Sequence, residues 1–117
     1  MVSNLPEGFP ATETDAAFLR FIEELIARFQ PRRVIWFGSR AWGGAREDSD
    51  YDVLVEAEFE GSPYALAGQI RIAIPRKFRM DLLVESPATI QYELEIGDQF
   101  FREVLGRGRV LHEASHP

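Results

Sequence analysis

Two aspartates one residue apart, Asp50 and Asp52, lie where a small, polar stretch runs into the apolar segment Val53-Leu54-Val55. In an extended chain side chains alternate, so Asp50 and Asp52 point one way. Tyr51, Val53 and Val55 then take the other face, where the two valines can enter a core. Neighbouring like charges repel unless a positive charge lies between them. A hard divalent cation such as Mg²⁺ accepts carboxylate oxygens and brings phosphates with it. A third acid, Asp81, sits inside Met80-Asp81-Leu82-Leu83-Val84. Acids in apolar strands are rare unless paired or metal-bound. If the two strands are neighbours, Asp50, Asp52 and Asp81 form a triad able to hold two metal ions about 3.5–4 Å apart.

Upstream stands Gly38-Ser39, directly after the apolar run Val34 to Phe37. Glycine allows close backbone approach to a ligand. Backbone N–H groups and a serine hydroxyl at the start of a helical turn suit phosphate oxygens. Arg40 and Arg46 can add charge. The stretch lacks the Gly-Lys-Ser/Thr ending of a P-loop and the glycine pattern of a dinucleotide fold. Taken alone, Gly-Ser is an ordinary turn and Asp-x-Asp a weak signal. Only the combination with Asp81 raises them.

Other polar residues carry plainer readings. Glu47, Asp48, Glu56, Glu58 and Glu60 read as solvated. Glu56 shares the strand face of Asp52 but lies about 13 Å along it, at about 3.3 Å per residue. Arg71, Arg76, Lys77 and Arg79 form a basic cluster before Asp81. They serve solubility or a rim that attracts anions, and Arg79 alternates onto the face of Asp81. Trp36 and Phe37 read as core, and Trp42 as a packed loop residue, with stacking on a base or contact with a partner as its other reading. His112 and His116 are too isolated for a zinc site.

These groups need a frame. Thr14 to Phe29 reads as an amphipathic helix capped by Thr12 or Thr14 and stopped by Pro31. Arg33 to Phe37 is a buried strand, Gly38 to Ser49 a loop with at most one helical turn, and Tyr51 to Glu56 a second strand. Ser62 caps a helix running to Ile74, with Pro63 at its first position. Phe78 to Val84 is a third strand. Ser86-Pro87 opens a helical region reaching Leu105, which Gly97-Asp98 can divide with Asp98 as the new cap. Arg109 to His112 is a short last strand. The loop between the first two strands is too short for a parallel crossover, so that pair is expected to be antiparallel. The helix from Ser62 permits a parallel third strand. The fold class is α+β, a small mixed β-sheet flanked by helices. Residues 1–12, with two prolines and a glycine, read as a loose N-terminal arm. Residues 1–117 read as one domain.

Composition narrows the function further. Of 19 acids, seven fall between Glu47 and Glu60 with no base among them, so that stretch accounts for the whole net charge of −6. With one lysine and this balance, direct nucleic-acid binding is not expected. No cysteine means no disulfide framework or thiolate site, which fits a cytoplasmic location. Met1 to Pro10 has neither a basic start nor an apolar run, and no segment is long enough for a membrane span. Phe100, Phe101, Val104 and Leu105 form a helix stripe whose exposed part could meet a second copy or a partner.

Gly38-Ser39, ten residues, then Asp50-x-Asp52, with Asp81 on a later strand, resembles the signature of the nucleotidyltransferase superfamily related to DNA polymerase β. The form Gly-Ser-Arg-Ala…Ser-Asp-x-Asp in so short a chain is similar to the minimal nucleotidyltransferase family. Val110-Leu111-His112-Glu113 resembles that family's ending, and the likeness covers Phe18 to Glu113. The resemblance implies a nucleotidyltransferase fold, a nucleoside triphosphate such as ATP, and two Mg²⁺ ions. It implies Gly38 and Ser39, and more weakly Arg40, at the nucleotide. It implies Asp50, Asp52 and Asp81 at the metals, with Asp81 activating an acceptor hydroxyl. Members of this kind commonly pair with HEPN-type toxins, which implies a tyrosine of such a partner as AMP acceptor and an antitoxin role. Two other readings are a non-catalytic antitoxin that works by occlusion and a transferase for a small molecule such as an aminoglycoside.

Overall fold

The computed structural model describes residues 2–46 and 48–114. Glu47 and His116, named above, lie outside the described residues. The element order is α1 (Glu13–Phe29), β1 (Arg33–Phe37), α2 (Ser39–Trp42), β2 (Tyr51–Glu56), α3 (Pro63–Ala73), β3 (Met80–Glu85), α4 (Pro87–Glu95), α5 (Gln99–Arg107) and β4 (Arg109–Glu113).

α1, α3, α4 and α5 each start where the sequence provides a side-chain oxygen for an orphan N–H. The Thr12 hydroxyl accepts from Asp15 N at 3.0 Å, Ser62 from Ala65 N at 3.1 Å and Ser86 from Thr89 N at 3.1 Å. Asp98 Oδ1 accepts from Phe101 N at 2.9 Å, so the Gly97-Asp98 break divides α4 from α5 as its composition predicts. α2 is the single helical turn allowed after Gly38.

The four strands lie in the order β3-β2-β1-β4. β1 is antiparallel to β2 and to β4, while β2 and β3 are parallel and joined through α3. The α+β class and the mixed sheet are therefore as expected. Alternation sends Val34, Trp36, Tyr51, Val53, Val55, Leu82 and Val84 to one face, where Phe18, Phe21, Ile22 and Leu25 of α1 and Ala67 and Ile70 of α3 bury them. Phe18 stacks on Tyr51 with ring centroids 4.4 Å apart. Ile35 and Leu54 take the other face under Ile90, Phe101 and Val104 of α4 and α5. The result is three layers, with both sheet faces covered.

Three expectations are corrected. The N-terminal arm is tied down rather than loose. Ser3 N donates to Leu111 O at 2.8 Å, Arg109 Nη1 donates to Asn4 O at 3.2 Å, and the Phe9 ring lies 5.1 Å from Trp36. Prolines and glycine make the arm irregular, but Val2, Leu5 and Phe9 still pack against the core. The third strand begins at Met80, because Phe78 instead turns into the aromatic group formed by Phe18, Phe21 and Tyr51. Glu56 is buried, at 3% exposure, not solvated. Its carboxylate accepts from Arg33 Nε across the β1–β2 pair, in register with it.

Candidate active site

The antiparallel register sets Phe37 opposite Asp52, and the parallel register sets Asp52 opposite Asp81. Opposed residues share a face, so Asp52 and Asp81 stand side by side on strands about 4.8 Å apart. Leu54 and Leu83, two residues further on, continue that face into the α4–α5 layer. The carboxylates thus mark the point where a buried apolar face opens to solvent, at the end of β1 and the starts of β2 and β3. Asp81 is exposed and Asp52 half-buried.

Gly38 closes this corner from β1. Its φ of 83° and ψ of −173° belong to a region that essentially only glycine occupies. A Cβ added there would fall on the Asp52 carboxylate. The position is therefore demanded twice, by backbone conformation and by close approach. Ser39, the first residue of α2, is exposed beside it.

The Asp52 carboxyl is pushed up to about 6, first by burial and then by the charges of Asp81 and Asp50. Burial and neighbouring like charge both disfavour the ionised form. Asp50 is engaged elsewhere: its Oδ1 lies 2.9 Å from Arg79 Nε. This is ion-pair distance without hydrogen-bond geometry, and that buried oxygen receives no hydrogen bond. Among the described residues no three acidic or histidine side chains are gathered into one ready metal-ligand group. Asp52 and Asp81 are brought together, and Asp50 stands beside them holding an arginine.

Arg40 goes where sequence reasoning did not place it. Its Nε donates to Ser49 O at 2.6 Å, and its Cζ lies 4.3 Å from the centre of the Tyr51 ring. Tyr51 faces α1, the side of the sheet opposite Asp52, and its hydroxyl donates to Asp15 Oδ1 at 2.6 Å. Arg40 is thus a strut between α2 and the loop that delivers Asp50. Asp15 and Ser49 were missed as supporting residues; the Ser-Asp pair 49–50 next to an arginine-bearing turn was the signal available. Trp42 packs, as expected, with the Arg107 guanidinium 4.1 Å over its ring.

The nucleotidyltransferase domain family model matches residues 19–114, a span holding Gly38, Ser39, Asp50, Asp52 and Asp81. The chain belongs to the nucleotidyltransferase domain family. No curated protein and no solved structure matches it. Membership makes this domain a transferase with a nucleotide substrate. The matched span begins within α1 and ends just after β4, so it takes in every strand of the sheet. Among the described residues of this nucleotidyltransferase domain, no helix is long and apolar enough to cross a membrane.

Proposed function

We propose that this nucleotidyltransferase domain transfers AMP from ATP to a hydroxyl of a protein acceptor, at the corner formed by Gly38, Ser39, Asp50, Asp52 and Asp81. We further propose that it is of the minimal, antitoxin type, with a tyrosine of a HEPN toxin partner as acceptor. The observation that carries the site is the register pair Asp52–Asp81 with Gly38 against Asp52.

The donor set fits Mg²⁺. It is all carboxylate oxygen, its charges repel one another, and one orphaned Asp50 oxygen faces only an arginine. Asp52 and Asp81 would hold the ions, joined by Asp50. When bound, the ions supply neutralisation of phosphate charge and alignment of attacker and leaving group. The chain's own work is to position and to move a proton. Gly38 lets the backbone approach the triphosphate without a side chain, and the Ser39 hydroxyl donates to a phosphate oxygen. Asp81, exposed at the rim, accepts the acceptor hydroxyl proton. The acceptor oxygen then bonds to the α-phosphorus, the bond to the bridging oxygen breaks, and pyrophosphate leaves with that electron pair.

The test is label transfer from ATP labelled at the α-phosphate, with Mg²⁺ and the candidate toxin. Label on a toxin tyrosine, lost in Asp50→Ala/Asp52→Ala, supports the reading. No label, with that double variant equally protective in cells, overturns it. That second result would favour the occlusion reading, for which exposed Tyr92, Ile96 and Phe100 on α4 and α5 offer an apolar surface.

A further inference from the structure

The Arg79–Asp50 ion pair has an exchange built into it. A metal ligand must present its oxygen to the ion, yet Asp50 Oδ1 lies 2.9 Å from Arg79 Nε. A metal ion on that oxygen would lie close to the guanidinium, and like charges at such range repel, so the arginine weakens the site for a free ion. The pair is also weakly held. The Arg79 side chain is 74% exposed and that of Asp50 37%, and the contact lacks hydrogen-bond geometry. Exposed pairs of this kind are easily broken.

The backbone nevertheless keeps Arg79 at its post. Arg79 O accepts from Tyr51 N at 3.0 Å, so the residue's main chain stays beside Asp50 whichever way its side chain turns. Arg79 lies at the edge of the corner, where it also lines a solvent-open hollow with Asp48, Ser49 and Lys77 on the α1 side. A guanidinium released from Asp50 beside a metal-bound triphosphate has phosphate as its natural partner, because its fork of donors matches phosphate oxygens.

We propose that Arg79 is a positioning residue that stands in for the metal at Asp50. It gives up that carboxylate when the metal–nucleotide complex arrives, and turns its guanidinium to the phosphates. The inference rests on the proposed role of Asp50 at the metal. It predicts opposite effects on two affinities. Without Arg79 the free metal meets less competition, whereas the metal–nucleotide complex loses a contact.

The test measures Mn²⁺ binding to the full chain by electron paramagnetic resonance, without nucleotide and then with ATP. Arg79→Met is expected to bind Mn²⁺ alone about two- to fivefold tighter than the unmodified protein. The same variant is expected to bind Mn²⁺–ATP several-fold more weakly, and Arg79→Lys to lie close to the unmodified protein in both. Equal or weaker Mn²⁺ binding by Arg79→Met overturns the inference, as does undiminished Mn²⁺–ATP binding. Those failures leave the metal site standing if Asp52→Asn still abolishes Mn²⁺ binding. Absence of Mn²⁺ binding in the unmodified protein would remove both the site and the exchange.

Discussion

Asp52 is the residue on which stability and chemistry pull apart. Its carboxyl is raised from the ordinary range to about 6 by burial, Asp81 and Asp50. Between the two values the folded protein holds a proton that the unfolded chain has lost. Stability therefore falls as pH rises from about 4 to about 6 and stays low above it. Asp52→Asn removes that penalty. Its thermal midpoint, measured without metal, is expected to exceed that of the unmodified protein at about pH 8, and the difference to vanish near pH 4. A gain independent of pH would count against the charge cluster. Divalent-metal affinity should follow the reverse course, weakening as pH drops through about 6. Gly38 gives a second prediction. Gly38→Ala is expected to cost about 1–3 kcal/mol from its backbone conformation alone, read by denaturant unfolding. It should also displace Asp52, weakening nucleotide binding more than Ser39→Ala does.

At the scale of elements, register decides which residues meet. The alternation of Tyr51 to Glu56, the short loop before it and the helix after it allowed the antiparallel and parallel pairings to be read from sequence. The adjacency of Asp52 and Asp81 followed once the strands were neighbours. The partner of Glu56 was not legible. Nothing local distinguishes an acid that faces solvent from one that meets Arg33 through a particular antiparallel register. The Arg40 contacts were not legible for a related reason: nothing in its neighbours Gly38-Ser39 marks a side chain that reaches Ser49 O and the Tyr51 ring. The loose-arm expectation failed because irregular backbone was equated with absence of contact, while Phe9 is anchored on Trp36. Two predictions belong here. Arg33→Met leaves Glu56 buried without its cation and should cost about 2–3 kcal/mol in unfolding free energy, somewhat under a fully buried pair because Arg33 is a quarter exposed. Arg40→Ala should speed amide exchange at residues 48–50 while leaving β4 protected, because the strut reaches the loop at Ser49 O. Exchange spread evenly over the sheet would argue against a local strut.

Across the whole molecule, the layered sheet explains why so short a chain can carry a site. Both faces of the sheet are covered, and the acidic corner lies where β1 ends and β2 and β3 begin. The acidic stretch that holds the net charge divides into parts with different roles. Asp50 and Asp52 belong to the corner, Glu56 to a buried pair at the far end of the same strand, and Asp48, Glu58 and Glu60 to the surface. The family of the chain was legible in its motifs because two separated elements keep their spacing around a strand. The acceptor was not legible, because no residue of this chain records what docks beside Asp81. The most direct test of the account is transfer from α-labelled ATP in the presence of Mg²⁺ and the candidate toxin, resolved by mass spectrometry of the toxin. The account predicts AMP on a tyrosine, dependent on both Asp52 and Asp81. Undiminished modification by Asp52→Asn and Asp81→Asn, or none by the unmodified protein, would contradict it.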